Sequence, residues 1–197
     1  MVNHKHKVIF IHIPKCAGTS IDSAFNGGKP YYDWNPELGV WMQHASILQL
    51  KKQGLWHDEY FKFTVIRHPL ERLVSSHNWM QRKYPKLSLN QLIDPALRQA
   101  TPLLSDEHQF EKQSRQHQLL PIHHFIGNGS ELDMVIPIQR LSDLWPTVCE
   151  RIGATIQLPH LNRTSHPSYQ DAMSTVQTTV ASRMYQTDFD LFSQHFG

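Results

Sequence analysis

The sequence predicts an α/β fold in which a mostly parallel central sheet is flanked by helices. Three runs rich in apolar, β-branched and aromatic residues, at positions 8–13, 61–66 and 134–138, have the length and composition of buried strands. The first two runs lead into segments with helical spacing, and a further helix is predicted over 140–152. Strands that alternate with helices are typical of parallel sheets. The length of 197 residues fits one domain over 1–197.

Composition and charge exclude several classes of protein. The formal net charge is only +2, so the chain lacks the strongly basic character of a nucleic-acid-binding protein. No apolar segment reaches the roughly 18 residues of a membrane span, and no signal peptide precedes the first strand. We therefore expect a chain without a membrane span that resides in the cytoplasm. Cys16 and Cys149 are too few for a disulfide framework.

The first predicted strand passes through a short turn into a helix, in the stretch KVIFIHIPKCAGTSIDSAF at positions 7–25. Backbone N–H groups of such a turn and of the helix N-terminus converge on an anion, which the helix dipole also favours. Gly18 lets the backbone approach a phosphate closely, and Lys15, Thr19 and Ser20 add side-chain donors. The stretch therefore predicts a phosphate cradle, although an ordinary strand–turn–helix with an exposed lysine has the same pattern. It is not a Walker A loop, because the lysine precedes the glycine.

The second predicted strand, at 61–66, ends in Arg67-His68-Pro69. A residue before proline is extended, and proline suits the first position of a helix. Arg67 therefore stands at the carboxyl end of a strand, with Ser75 eight residues later inside the helix. Ligands of open α/β sheets bind outside the carboxyl ends of the strands. Arg67 and the first loop are thus expected to face one crevice.

Two segments carry a resemblance to a known family. HIPKCAGTS, at 12–20, resembles the 5′-phosphosulfate loop of sulfotransferases that use 3′-phosphoadenosine 5′-phosphosulfate (PAPS). VIRHPLERLVSSH, at 65–77, resembles the 3′-phosphate motif of the same enzymes, and the nearest likeness is to their carbohydrate branch. That branch includes uronyl 2-O-, chondroitin and HNK-1 type enzymes, of which this chain resembles a short, bacterial-type member.

The resemblance implies a P-loop-like three-layer fold and in-line transfer of a sulfuryl group from PAPS to an acceptor hydroxyl. The implied acceptor is a carbohydrate, and the nucleotide product is adenosine 3′,5′-bisphosphate. The family scheme requires no metal ion.

The resemblance also implies roles for individual residues. Arg67 and Ser75 would bind the 3′-phosphate, and Lys15 would stabilise the charge on the leaving 5′-phosphate. His44, in the segment QHAS, resembles the catalytic base. The implied donor-binding residues of the first loop and of a late loop at 158–166 are Pro14, Lys15, Cys16, Ala17, Gly18, Thr19, Ser20, Asn162, Arg163 and Thr164.

Other stretches have less specific patterns. The run LLPIHHFI, at 119–126, is predicted to be extended, so that His123 and His124 point to opposite faces and do not form a metal site. Residues 27–40 have the composition of a loop. Glu71 and Arg72 are expected to form a solvated ion pair that contributes little stability.

Two alternative functions remain open from the sequence. One is a P-loop-like kinase that uses ATP, against which the position of Lys15 and the lack of a convincing Walker B strand argue. The other is a nucleotide-binding relative without catalytic activity, against which the presence of Lys15 and His44 argues.

Overall fold

The computed structural model describes residues 1–28, 33–38, 40–100, 116–159 and 167–196. Its strands are β1 (Val2–Asn3), β2 (Val8–Ile11), β3 (Trp34–Asn35), β4 (Val40–Trp41), β5 (Phe61–Ile66) and β6 (Met134–Pro137). Its helices are α1 (Gly18–Phe25), α2 (Ile47–Lys52), α3 (Pro69–Gln81), α4 (Asn90–Ile93), α5 (Pro95–Ala100), α6 (Ile122–Ile126), α7 (Leu141–Arg151), α8 (Tyr169–Ala172), α9 (Thr175–Met184) and α10 (Gln186–Phe196). Short 3₁₀ helices lie at Met42–His44 and Ile138–Arg140, and 116–119 form a further helical turn.

The main sheet has four strands in the order β1-β2-β5-β6. Strands β2, β5 and β6 are parallel, and the short β1 runs antiparallel to β2 at the edge. The predicted α/β class with a mostly parallel sheet is therefore confirmed. Because β2 and β5 are neighbours, the loops that follow their carboxyl ends leave the same edge of the sheet. The hydroxyl of Thr64 in β5 adds a side-chain hydrogen bond of 2.7 Å to the carbonyl of Ile11 in β2.

Apolar side chains bury both central strands. All four residues of β2 are fully buried, and the rings of Phe10 and Phe63 pack at 5.0 Å between centroids. Helix α1 contributes Ile21 to this core, and α7 contributes Trp145. A second apolar cluster joins α3 to the helices α4 and α9. The start of α1 thus packs on the sheet core, and α3 packs on the second cluster. Both helices begin at the candidate site.

The helix predicted over 140–152 agrees with α7 to within one residue at each end, but the prediction at 119–126 is wrong. Predicted as extended, this run instead contains helix α6. The carboxylate of Asp188, on α10, accepts hydrogen bonds from the N–H groups of Ile122 (2.6 Å) and His123 (3.1 Å). A side chain 66 residues away thus caps the first turn of α6 and makes the helix possible.

The stretch at 27–40, predicted as a loop, contributes two short strands. Strands β3 and β4 pair in antiparallel fashion, and the rings of Trp34 and Trp41 meet edge to face at 5.6 Å. Each strand has only two residues, which is too short for a periodic pattern to indicate. Among the helices that the structure describes, none has the length and apolar character needed to cross a membrane.

Candidate active site at the carboxyl edge of the sheet

The loop between β2 and α1 is tightly wound. Lys15 (φ 68°) and Ala17 (φ 61°) both adopt left-handed backbone conformations, which are uncommon outside glycine. The carbonyl of Ala17 accepts hydrogen bonds from the N–H groups of Ser20 (3.0 Å) and Ile21 (3.3 Å), so the helix starts immediately after the loop. The strained residues therefore aim the first turn of α1 back across the end of β2.

Among the described residues, no side chain caps the N-terminus of α1. The backbone N–H groups of Gly18 and Thr19 have no acceptor within the part of the chain that the structure describes. Helices α2, α8 and α9, by contrast, begin at serine residues whose hydroxyls accept a backbone hydrogen bond: Ser46, Ser168 and Ser174. Helix α1 thus presents unpaired donors and the positive end of its dipole, an arrangement that binds anions.

Gly18 is required by its neighbour His12. A Cβ atom at position 18 would lie 1.8 Å from Cδ2 and 1.9 Å from Nε2 of the imidazole. The ring is held in that place because Nδ1 of His12 lies 2.9 Å from Oδ2 of Asp22, and both side chains are buried. Glycine at position 18 therefore leaves room for the imidazole of His12. This is a second reason for a glycine here, in addition to the close approach of the backbone to a ligand.

Lys15 lies in a cationic and partly apolar environment. Its Nζ atom is 5.9 Å from the centroid of the Trp79 ring on α3. Burial, together with the nearby charges of Arg82 and Arg67, lowers the pKa of Lys15 to about 8. A bound anion would relieve both effects, because it replaces lost hydration and offsets the repulsion between the cations.

Cys16 points away from any ligand that the loop could bind. Its side chain is fully buried, and Sγ lies 3.6 Å from the carbonyl of Pro14. Burial raises the pKa of the thiol to about 11, so it stays protonated near neutral pH. The N–H of Cys16 is already bonded to the carbonyl of Ile13 at 3.3 Å. Cys16 therefore supports the loop by packing.

Arg67 follows β5, and its guanidinium lies 3.6 Å from the carboxylate of Glu71, one turn into α3. The other oxygen of Glu71 accepts a 3.0 Å hydrogen bond from the N–H of Tyr169. Both charged side chains are about one-fifth exposed. Ser75, two turns along α3, is only 3 % exposed. The structure thus places Arg67 at the predicted strand end and Ser75 inside the helix that follows.

The expected ion pair of Glu71 with Arg72 is wrong, because Arg72 is buried. It is only 1 % exposed, and its guanidinium donates to the carbonyls of Gln118 and Leu120. Its guanidinium carbon also lies 5.6 Å from the Tyr185 ring centroid. Arg72 ties α3 to the chain before α6, a role that the sequence pattern alone did not indicate because both acceptors are far away along the chain.

His44 ends a 3₁₀ helix and lies against the first loop. Its Nδ1 is 2.9 Å from the backbone carbonyl of His12, and the two imidazole rings are 4.4 Å apart between centroids. A carbonyl only accepts hydrogen bonds, so Nδ1 of His44 carries the proton and Nε2 keeps its lone pair. Burial lowers the pKa of His44 well below its ordinary value, as do the positive charges of nearby groups. His44 is therefore neutral at neutral pH.

The described residues include part of the predicted site and two neighbours that the sequence did not indicate. The late-loop residues Asn162, Arg163 and Thr164 lie outside the described residues. Sequence reasoning missed Asp22 and Trp79, whose positions beside the loop follow from tertiary contacts. Within the described ranges, no group of three or more His, Cys, Asp or Glu side chains is arranged to hold a metal ion.

An α/β protein with an uncapped helix N-terminus and two cationic side chains at adjacent strand ends has the construction of a protein that binds an anionic ligand. Comparison with known proteins assigns the family: the model of the sulfotransferase family matches residues 1–195. The chain belongs to the sulfotransferase family, whose reaction is sulfuryl transfer. Searches of curated proteins and of solved structures found no match.

Proposed function

We propose that this chain, as a single P-loop-like domain, transfers the sulfuryl group of PAPS to a hydroxyl group of a carbohydrate. One observation carries the proposal: Lys15 and Arg67 follow neighbouring parallel strands and lie close enough for Arg67 to lower the pKa of Lys15. Two cations held together at one sheet edge suit a ligand with two anionic groups. PAPS has such groups, one at the 5′ and one at the 3′ position.

The proposed donor site divides between the two strand–loop–helix units. In this proposal the free N–H groups of Gly18 and Thr19, with the ammonium of Lys15, bind the 5′-phosphosulfate. Arg67 binds the 3′-phosphate, exchanging its contact with Glu71 for bidentate phosphate contact. The remaining proposed contacts are made by Pro14, Ala17, Ser20, Ser75, Asn162, Arg163 and Thr164, and Cys16 supports the loop by packing.

The proposed chemistry uses His44 and Lys15. His44 accepts the proton of the acceptor hydroxyl at Nε2, since its neutral form is held with Nδ1 protonated. Lys15 stabilises the negative charge that develops on the bridging oxygen of the leaving 5′-phosphate. Attack and departure lie in line, as in phosphoryl transfer, so positioning supplies much of the rate. The nucleotide product is adenosine 3′,5′-bisphosphate.

The proposal is tested by incubating the protein with ³⁵S-labelled PAPS and a panel of glycans, with and without EDTA. We expect label in a glycan, formation of adenosine 3′,5′-bisphosphate, and activity that persists in EDTA. The His44→Ala variant should still bind the nucleotide. It should transfer label at least ~100-fold more slowly, which is the low end of the rate increase that a positioned base supplies. Magnesium-dependent phosphate transfer from ATP, with no transfer of label, would favour the kinase alternative and contradict the proposal.

A further inference from the structure

His12 joins three parts of the candidate site that belong to different elements. Its imidazole fills the space beside Gly18, at the start of α1. Its Nδ1 bonds to Asp22 within α1, at 2.9 Å. Its backbone carbonyl accepts the hydrogen bond from Nδ1 of His44, also at 2.9 Å. The phosphate-binding loop and the candidate base are therefore coupled through one residue.

The contact with Asp22 anchors the His12 ring. Asp22 is 1 % exposed, and its second oxygen, Oδ1, has no hydrogen-bond partner among the described residues. A buried carboxylate with a single side-chain hydrogen-bond partner depends strongly on that partner, because removing it leaves a buried acceptor unpaired. The ring of His12 therefore has one favoured position, against Gly18.

The contact with His44 decides which of its nitrogens is free. The carbonyl of His12 requires a donor, so it selects the tautomer of His44 that has the proton on Nδ1. The residue whose ring is anchored to Asp22 is thus also the residue whose carbonyl, just after β2, contacts His44. Release of the anchor would let His44 populate both tautomers and lose its fixed direction.

We propose that His12 is a positioning residue that, through Asp22, holds the phosphate-binding loop and fixes His44 in the tautomer able to accept a proton at Nε2. This inference rests on the proposed function, in which His44 is the base. The charged or titratable groups that face His44 are His12, His117 and the α-amino group of Met1, and Asp22 faces His12. None of them replaces the carbonyl as the acceptor for Nδ1 of His44.

The experiment compares His12→Ala with His12→Asn, whose side-chain amide can still donate to Asp22. The matched control is His123→Ala, since His123 also bonds to a buried aspartate, Asp188, at 3.1 Å, but outside this crevice. Three readouts are made on the full chain: binding of adenosine 3′,5′-bisphosphate by calorimetry, the His44 tautomer by ¹⁵N NMR, and the turnover number with PAPS.

We expect the wild type and His123→Ala to have the Nδ1–H tautomer of His44. His12→Ala should give a mixture of tautomers and lower turnover about 100-fold, the size of effect that misplacement of a reacting group causes. His12→Asn should restore the tautomer and turnover to within about tenfold. An unchanged tautomer in both His12 variants would overturn the inference, even if turnover fell.

A second test keeps the inference falsifiable if His12→Ala folds poorly. Gly18→Ala should weaken nucleotide binding, because its Cβ displaces the His12 ring. In the double variant Gly18→Ala/His12→Asn, where the smaller side chain removes the clash, binding should recover at least tenfold relative to Gly18→Ala. Equal losses in both backgrounds would overturn the inference. Failure of the wild type to bind the bisphosphate would instead contradict the proposed function, so the two failures are distinguishable.

Discussion

The two strand–loop–helix units at the carboxyl edge of the sheet solve the same geometric problem in different ways. The first unit needs six residues, 12–17, to pass from β2 to α1, and it uses two left-handed residues. The second needs only two, Arg67 and His68, because Pro69 is preset for the first turn of α3. The first loop is therefore long enough to surround a ligand with backbone N–H groups. The second is a short turn that presents one side chain, Arg67.

The difference extends to how each unit carries its positive charge. Burial and the charges of Arg82 and Arg67 lower the pKa of Lys15 to about 8, so its charge responds to a bound anion. A guanidinium is a permanent charge in proteins, and that of Arg67 is held near Glu71 at 3.6 Å. The comparison suggests a division of labour. A responsive charge suits an oxygen on which charge develops during the reaction, and a permanent charge suits a phosphate that only has to be bound.

The largest expected effect is on turnover, from removal of Lys15. Lys15→Ala should lower the turnover number about 10²–10³-fold, as loss of one stabilising donor at a developing charge does. Its dissociation constant for adenosine 3′,5′-bisphosphate should change by about tenfold or less, because loop N–H groups still bind the 5′ end. Steady-state kinetics and calorimetry measure the two quantities. Exposed Lys52 provides the control Lys52→Ala, and a pure loss of affinity in Lys15→Ala would contradict the division of labour.

Removal of Arg67, by contrast, should mainly reduce the affinity for the nucleotide. Arg67→Ala should weaken binding of adenosine 3′,5′-bisphosphate about 100-fold, equivalent to roughly 2.7 kcal/mol, by loss of a charge-assisted contact. Binding of AMP, which lacks the 3′-phosphate, should change little. Exposed Arg183 on α9 supplies the control Arg183→Ala. If Arg67→Ala bound the bisphosphate normally, the assignment of Arg67 to the 3′-phosphate would be wrong.

The second unit should depend on Arg72 for its stability. Arg72→Met leaves the carbonyls of Gln118 and Leu120 without their donor in a buried region, which should lower the free energy of unfolding by about 2 kcal/mol. Urea denaturation measures this change. Arg151→Met, at an exposed position, should stay within about 0.5 kcal/mol of the wild type. Equal stability of the two variants would show that the buried guanidinium does not hold α3 in place.

The smallest expected effect is the pH dependence of nucleotide binding. Free Lys15 has a pKa of about 8, and a bound phosphate raises it, so binding above that pH takes up a proton. Affinity should therefore be constant below about pH 8 and should fall by at most about tenfold per pH unit above it. Lys15→Arg, which stays charged, should remove this slope. A flat wild-type profile between about pH 7 and 9.5 would contradict the lowered pKa.

Local signals in the sequence predicted the frame of the molecule. Strand β5 and the start of α3 at Pro69 follow from an apolar run and the fixed geometry of proline, both of which act between neighbours. Helix α6 could not be predicted in this way, because the cap from Asp188 comes from a distant element. The buried position of Arg72 has the same cause, since its acceptors lie 46 and 48 residues further along.

Local signals likewise predicted only part of the candidate site. Lys15, Gly18 and Arg67 were indicated by motif and by position at strand ends. The coupling of His12 to Asp22, Gly18 and His44 was not, because it arises only when the left-handed loop folds α1 back over the end of β2. The motifs therefore indicated candidate residues, and tertiary packing determines which nitrogen of His44 is free.

The most direct test of the proposed donor site is a calorimetric titration of the wild-type protein with adenosine 3′,5′-bisphosphate, beside ATP and AMP. We predict tight binding of the bisphosphate and at least tenfold weaker binding of both other nucleotides, because only the bisphosphate has a phosphate at the 3′ position for Arg67. No binding of the bisphosphate, or equal binding of ATP, would contradict the assignment of this sheet edge to PAPS.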